Sequence, residues 1–155
     1  MARPRIELRE RIQLLGDAER FVFHRAAEMK LDDAKAFVAQ VRREGRAAAV
    51  RALRQVVAER ELAGCAIVAG AAEMPPLAQV VASHPMIHTA EGLFHRDVLR
   101  AAAEAMGLSV RIVTPKSLDP KSAQLAAVGR AVGKPWNNDV KLGTLAAWKV
   151  LGPAP

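Results

Sequence analysis

Two short apolar runs, far apart in the chain, constrain the fold of this 155-residue sequence more than any other feature. Residues 65–69 (CAIVA) are continuously apolar and end at Gly70, which is typical of a strand buried on both faces. Residues 109–113 (SVRIV) alternate in polarity and predict another strand. Between them, Met86–His88 predicts a very short strand. Because helical patterns separate these runs, we expect an α/β fold with a small, mainly parallel sheet of about three strands and flanking helices.

The segments between and after these strands have helical patterns. Helices are predicted over residues 77–82, 90–106, 121–132 and 138–151. Thr89 is placed to cap the long helix, and Gly107 closes it at the C′ position. Trp136, in the turn between the last two helices, either anchors that corner to the core or walls a pocket. We therefore predict a small Rossmann-like α/β domain over residues 63–155.

The first 62 residues contain only helical patterns, so an all-helical N-terminal section precedes the sheet. Four helices are predicted there, over residues 6–15, 17–29, 33–43 and 46–62, and Gly45 is read as the break between the last two. A sheet of so few strands leaves apolar surface to cover. We therefore expect residues 1–62 to pack on a face or an edge of the core, so that the two parts form one compact unit.

Several classes of protein are excluded by composition. A single cysteine, Cys65, excludes a disulfide framework and a cysteine-based zinc knuckle. No stretch approaches the roughly 18 unbroken apolar residues of a membrane span, and the first residues lack the apolar segment of a secretory signal. We therefore expect a cytoplasmic protein with no membrane partner, and the sequence leaves a homo-oligomer open.

The charge balance favours an anionic partner. Lysine and arginine number 23 against 16 aspartate and glutamate, a net charge of +7. Such a surface attracts polyanions, of which nucleic acid is the commonest in the cytoplasm. The densest basic run includes Arg42, Arg43 and Arg46, which either contact a phosphate backbone or form an ordinary solvated helix face. The scarcity of aromatic residues argues against a sheet that stacks bases.

Three of the four histidines are concentrated in one segment, at His84, His88 and His95, with Glu91 among them. Ligands four residues apart share one face of a helix, so this spacing allows a divalent metal ion on the three histidines. Pro85, however, disfavours the helical conformation at His84 and predicts that His84 and His88 do not lie on one helix. We therefore predict no resident cofactor and keep the metal site as a variant.

On the predicted helix over residues 90–106, Glu91 and His95 lie at the edge of the apolar face. Arg96 falls on the opposite, solvated arc. A carboxylate beside an apolar face is costly unless it is paired, and the four-residue spacing brings Glu91 within reach of His95. A histidine and a carboxylate in such a setting are the usual components of a general acid–base site. The structural alternatives are a core pair with satisfied hydrogen bonds, or a Glu91 side chain that reaches water at the helix end.

The same segment is predicted to form a strand-to-helix turn at the carboxyl end of the middle strand. Ligands bind at these ends in open parallel sheets, and the free N–H groups of such a turn favour an anion. Thr89 and Gly92 would hold a phosphate there, while Lys116, after the last strand, would add a positive charge across the mouth. Glu73 and His84 would lie at the rim. The alternative roles are helix capping for Thr89, close packing for Gly92 and a solvated side chain for Lys116.

These observations lead to three functional hypotheses. The first is a small hydrolase acting on a phosphoester, in RNA or DNA, with Glu91 and either His95 or His88 as general base and acid. The second is a non-catalytic nucleic-acid-binding or regulatory module that uses the basic N-terminal helices. The third is an enzyme that binds the carboxylate or phosphate of a small molecule at the same turn.

Overall fold

The fold is described from a computed structural model, over residues 6, 11–17, 19–58 and 60–151. The elements follow in this order: α1 (Val22–Ala26), α2 (Leu31–Val57), β1 (Cys65–Val68), α3 (Leu77–Val81), α4 (His84–Ala105), β2 (Val110–Val113), a 3-10 turn (Pro115–Ser117), α5 (Ala123–Val132) and α6 (Asn138–Leu151). This part of the chain is therefore mainly helical, around a small sheet. None of these helices has both the length and the apolar character needed to cross a bilayer.

The sheet of the described residues has two strands, where the sequence predicts about three. β1 and β2 pair in parallel, with Cys65 opposite Val110 and Val68 opposite Val113. Both strands lie where they are predicted, and α4 provides the connection between them together with α3. Burial raises the pKa of the Cys65 thiol above its ordinary value, so the thiol stays protonated within β1 and acts as a small apolar side chain.

The predicted strand over Met86–His88 is wrong, because this segment is part of α4. The helix begins at His84, after an extended Ser83, and Pro85 lies in its first turn. An N–H group in the first turn has no intrahelical partner, so proline starts a helix there without the loss of a hydrogen bond. Pro85 therefore marks the beginning of α4 and does not separate His84 from His88.

In the N-terminal section, one long helix replaces two predicted ones. α2 runs without a break through Gly45, which is buried. A Cβ atom at this position would lie 3.3 Å from both Leu15 Cδ2 and Val98 Cγ1. Gly45 therefore allows a close approach to α4 and does not mark a turn. Of the helix predicted over residues 17–29, only Val22–Ala26 is helical. In the helix predicted over residues 6–15, residues 11–15 are not helical. Residues 1–5, 7–10, 18, 59 and 152–155 lie outside the described part.

The larger apolar core lies between the N-terminal helices and α4. Its fully buried side chains include Phe23 of α1, Val41 of α2, Val80 of α3 and Phe94 of α4. The rings of Phe23 and Phe94 meet edge to face, with centroids 5.9 Å apart, an arrangement that adds to the stabilisation from burial alone. This contact fixes α1 against α4 and so determines which side chains of the two helices meet.

A smaller core supports the sheet from the C-terminal side. Val113 of β2, Leu118 and Ala146 of α6 are its buried members, and Leu142 and Leu145 pack against them. Leu125 of α5 is also buried, with 1 % of its surface exposed. α6 therefore covers one side of the sheet, while α4 contacts both strands.

Arg96 fixes the segment that follows β1. The helical pattern predicts a solvated side chain, yet Arg96 is 8 % exposed. Its Nη1 donates to the carbonyl oxygens of Gly70 and Ala72, at 2.8 and 2.6 Å, and its Nη2 lies 2.7 Å from Asp97 Oδ1. The guanidinium is therefore buried with partners for its donors, as a buried charge requires.

Candidate metal centre

The first turns of α4 present two histidines on one face. His84 and His88 are four residues apart, and their Nε2 atoms lie 3.0 Å from each other. Both side chains are exposed, and the ring centroids are 4.5 Å apart. This proximity follows from the start of α4 at His84, because residues i and i+4 are neighbours on a helix surface.

α1 brings a third histidine to this pair. The ring of His24 lies with its centroid 5.5 Å from that of His84 and 5.0 Å from that of His88. One nitrogen from each of the three rings lies within 4.8 Å of the other two. Two nitrogens bound to one tetrahedral zinc ion at about 2.0–2.1 Å are about 3.3 Å apart. The three side chains are therefore close to the spacing that a shared ion requires, and rotation of the exposed rings can supply the difference.

Glu91 of α4 fixes the position of His24. Its Oε1 atom accepts hydrogen bonds from the backbone N–H groups of Phe23 at 2.9 Å and of His24 at 3.4 Å. The same oxygen lies 3.4 Å from His24 Nδ1. A hydrogen bond from Nδ1–H to this carboxylate leaves the lone pair on Nε2, the atom available to a metal. Carboxylates and carbonyls behind metal-binding histidines have this role in many proteins.

The second carboxylate oxygen of Glu91 gives the site its electrostatic character. Oε2 is buried, and within the described residues it has no hydrogen-bond partner. The Glu91 side chain is 14 % exposed, and among the described residues the His24 ring is the ionisable side chain that contacts it. A carboxylate removed from water is costly unless positive charge lies nearby. A cation bound to His24 would supply that charge through the imidazole.

His95 lies apart from this cluster. Seven residues separate it from His88, which corresponds to about 10.5 Å along the helix axis. Its ring contacts that of Phe94, with centroids 5.8 Å apart. Over the described ranges, no hydrogen bond or ion pair joins His95 to Glu91, whose Oε1 is bonded to α1 instead. The structure therefore groups His24, and not His95, with the two histidines at the start of α4.

The predicted strand-to-helix turn for an anion does not exist, because its residues lie inside α4. Thr89 Oγ1 donates to the Pro85 carbonyl oxygen at 3.2 Å, and Gly92 is an exposed helical residue. Backbone N–H groups in the body of a helix bond to the preceding turn and are not available to a ligand. Glu73 is exposed in the segment before α3, and Lys116 is exposed in the 3-10 turn after β2.

The three arginines predicted to contact nucleic acid lie on α2 in different environments. The guanidinium of Arg42 lies over the buried ring of Phe94, 5.1 Å from its centroid. Arg42 therefore takes part in packing through a cation–π contact. Arg43 and Arg46 are exposed.

The fold and this cluster together define a small α/β protein with a candidate three-histidine metal centre. Comparisons of the chain with protein-family models, with curated proteins and with solved structures found no match. The sequence pattern indicated His84, His88 and Glu91, but nothing in it indicated His24, which lies on another helix and far away along the chain. Only the packing of α1 on α4 brings it to the site.

Proposed function

We propose that this protein binds a divalent transition-metal ion, Zn²⁺ in the first instance, through His24, His84 and His88. The observation that carries the proposal is the convergence of three imidazoles from two helices, one of them held by a largely buried carboxylate. Imidazole nitrogen is a ligand that zinc, copper and nickel share, and zinc accepts the tetrahedral arrangement that three such groups can begin.

The ligand set supports a reactive site and not a purely structural one. Structural zinc sites have four protein ligands, whereas catalytic sites have three and keep a position for water or substrate. The described residues supply three, and the exposure of His84 and His88 keeps the ion accessible to solvent. A zinc ion held by His24, His84 and His88 would lower the pKa of a bound water and so supply a nucleophile at neutral pH.

We extend the proposal to the hydrolysis of a phosphoester. The net charge of +7 supports an anionic substrate. In this proposal Glu91 is a positioning residue, because its Oε1 atom orients His24 and fixes the backbone of α1. The acid–base pair of Glu91 and His95 has no support in the geometry, since the carboxylate faces α1.

Metal binding is tested by calorimetric titration of the purified chain with Zn²⁺, and we expect about one equivalent to bind. Replacement of His24, His84 or His88 by alanine should each weaken binding by more than about 100-fold, because loss of a ligand costs more than loss of its supporting hydrogen bond. His95→Ala is the matched control on the same helix and should bind normally. Equal effects of His88→Ala and His95→Ala would contradict the proposed ligand set.

Hydrolysis is tested separately, with bis(4-nitrophenyl) phosphate as the substrate. The zinc-loaded chain should release nitrophenolate, and both a chelator and His88→Ala should abolish the release. If the chain binds zinc through the three histidines and hydrolyses no phosphoester, metal binding stands and the hydrolytic part of the proposal is overturned.

A further inference from the structure

A second candidate site lies between α5 and α6, in a part of the chain that the metal centre does not use. A pocket of about 660 Å³ opens there, within the roughly 300–1,000 Å³ that small-molecule sites occupy. Four of the side chains that line it are basic, and its lining contains no acidic residue. The basic residues are Lys121, Arg130, Lys134 and Lys141.

Trp136 forms an aromatic wall of this pocket because α5 has no side chain at Gly129. A Cβ atom at this position would lie 2.6 Å from Trp136 Cε2, so only glycine allows the indole to lie against the helix. Glycine is unfavourable inside a helix, and close approach of another group is the usual reason for its presence there. Trp136 is half-buried and lines the pocket, so it both anchors this corner and offers an aromatic surface to a ligand.

Three of the four basic side chains of the pocket have no acidic partner in the part of the chain that the structure describes. Lys121, Arg130 and Lys141 form no ion pair with any residue of the described ranges. Asp119, the acidic residue nearest to the pocket in sequence, accepts a hydrogen bond from the backbone N–H of Lys121 at 2.9 Å and does not line the pocket. Cations gathered around a concave surface without acidic groups raise the local concentration of anions.

We propose that this pocket binds a nucleobase together with its phosphate. The base stacks on Trp136, and the phosphate lies among Arg130, Lys121 and Lys141. Stacking on an aromatic side chain beside basic residues is the common way to hold unpaired nucleotides without reading their sequence. Neither a glycine-rich dinucleotide motif nor a phosphate-binding loop is present in the sequence, so side chains make these contacts. The site is independent of the metal centre.

The base–phosphate unit can belong to a free nucleotide or to a single strand, and fluorescence titration distinguishes the two. Trp148→Phe leaves Trp136 as the sole tryptophan. Titration with AMP, with ribose 5-phosphate and with an oligoadenylate should quench this residue only for the two ligands that contain a base. Tighter binding of the oligomer identifies a strand as the ligand, and equal binding identifies a free nucleotide. Binding of ribose 5-phosphate as tightly as AMP, or quenching by none of the three, overturns the proposal.

The cations are tested with a fluorescently labelled oligoadenylate, so that the readout does not depend on Trp136. If a strand is the ligand, three or four phosphate contacts predict that binding weakens by about 20- to 50-fold when salt rises from about 50 mM to about 200 mM. Arg130→Ala combined with Lys141→Ala should abolish most binding and flatten this salt dependence. For a free nucleotide, the same pair of substitutions should abolish the quenching by AMP.

Three further variants separate binding from stability. Lys35→Ala, an exposed charge on α2, is the matched control and should bind like the parent chain. Trp136→Phe keeps an aromatic surface and should retain part of the oligonucleotide binding, whereas Trp136→Ala should lose it while the circular dichroism spectrum remains helical. Unchanged binding by the Arg130 and Lys141 double variant, or by a folded Trp136→Ala variant, overturns the proposal.

Discussion

The two candidate sites are built in different ways. At the metal centre, the orientation of His24 is fixed. Glu91 Oε1 bonds to the backbone of α1 and to the ring of His24. Phe23, the residue before His24, packs against Phe94 in the core. At the basic pocket, the exposed Lys121, Lys134 and Arg130 and the half-buried Lys141 line the same surface as one aromatic ring. The first arrangement suits a ligand that demands set angles, such as a metal ion. The second suits a ligand recognised by charge and a flat surface.

Removal of the core behind the metal centre should have the largest effect. Phe94 is fully buried, and Phe94→Ala should lower the free energy of unfolding by about 3–5 kcal/mol, because it leaves a cavity and frees α1. Urea denaturation measures the loss, and zinc affinity should fall with it. Leu151→Ala, at an exposed position of α6, should change neither. A loss below about 1 kcal/mol for Phe94→Ala would show that the core readily collapses around the gap.

Arg96 offers a test of buried charge away from both sites. Arg96→Met keeps an unbranched apolar stem but leaves the carbonyl oxygens of Gly70 and Ala72 without their donors. We expect a loss of about 2–3 kcal/mol in the free energy of unfolding, since these hydrogen bonds involve a charged donor in a buried place. Arg100→Met, one turn further along α4 and exposed, should leave the denaturation curve unchanged. Equal curves for the two variants would contradict a structural role for Arg96.

Glu91→Gln tests whether the negative charge behind His24 matters for zinc binding. The amide oxygen can still accept from α1, but the negative charge behind His24 is lost. Zinc affinity should fall by about 10- to 100-fold, as is typical when a supporting partner of a metal-binding histidine is removed. Glu104→Gln removes an exposed carboxylate of the same helix and should have no effect on binding. Identical zinc titrations for the two variants would show that zinc binding does not depend on the negative charge behind His24.

The smallest expected effect has the opposite sign. Gly92 lies in the body of α4, and a Cβ atom there would meet nothing within 4 Å. Gly92→Ala should therefore raise the free energy of unfolding by about 0.5–1 kcal/mol through helix propensity, with zinc affinity unchanged. Gly45→Ala should lower it instead, because its methyl group would press on Leu15 and Val98. Destabilisation by both substitutions would contradict the open environment of Gly92.

Local pattern was sufficient to predict five of the elements. The apolar run of β1, the alternation of β2 and the turn residues around α3, α5 and α6 predict these elements to within a few residues. Pro85 and Gly45 were misread because the same residue type has two structural meanings. Proline starts a helix as well as interrupting one, and glycine allows close packing as well as a turn. Tertiary contacts decide between these meanings.

The candidate site could be predicted only in the part that a single helix contains. His84, His88 and Glu91 lie within two turns of α4, so their spacing indicated a cluster. His24 was missed because its position depends on the packing of α1. Arg96 shows the same limit for charge: a helical wheel placed it in solvent, whereas the loop after β1 folds over it. Interactions between distant segments have no signature in a local pattern.

The distribution of the three histidines over two segments links metal chemistry to the conformational freedom of the unfolded chain. An ion held by residues 24 and 84 closes a loop of about 60 residues, a reversible cross-link of the type that a disulfide makes permanent. α1 has only five residues and cannot be stable as an isolated helix. Removal of the ion by a chelator would therefore loosen this short helix first. The earliest sign of metal loss would be faster amide hydrogen exchange around His24.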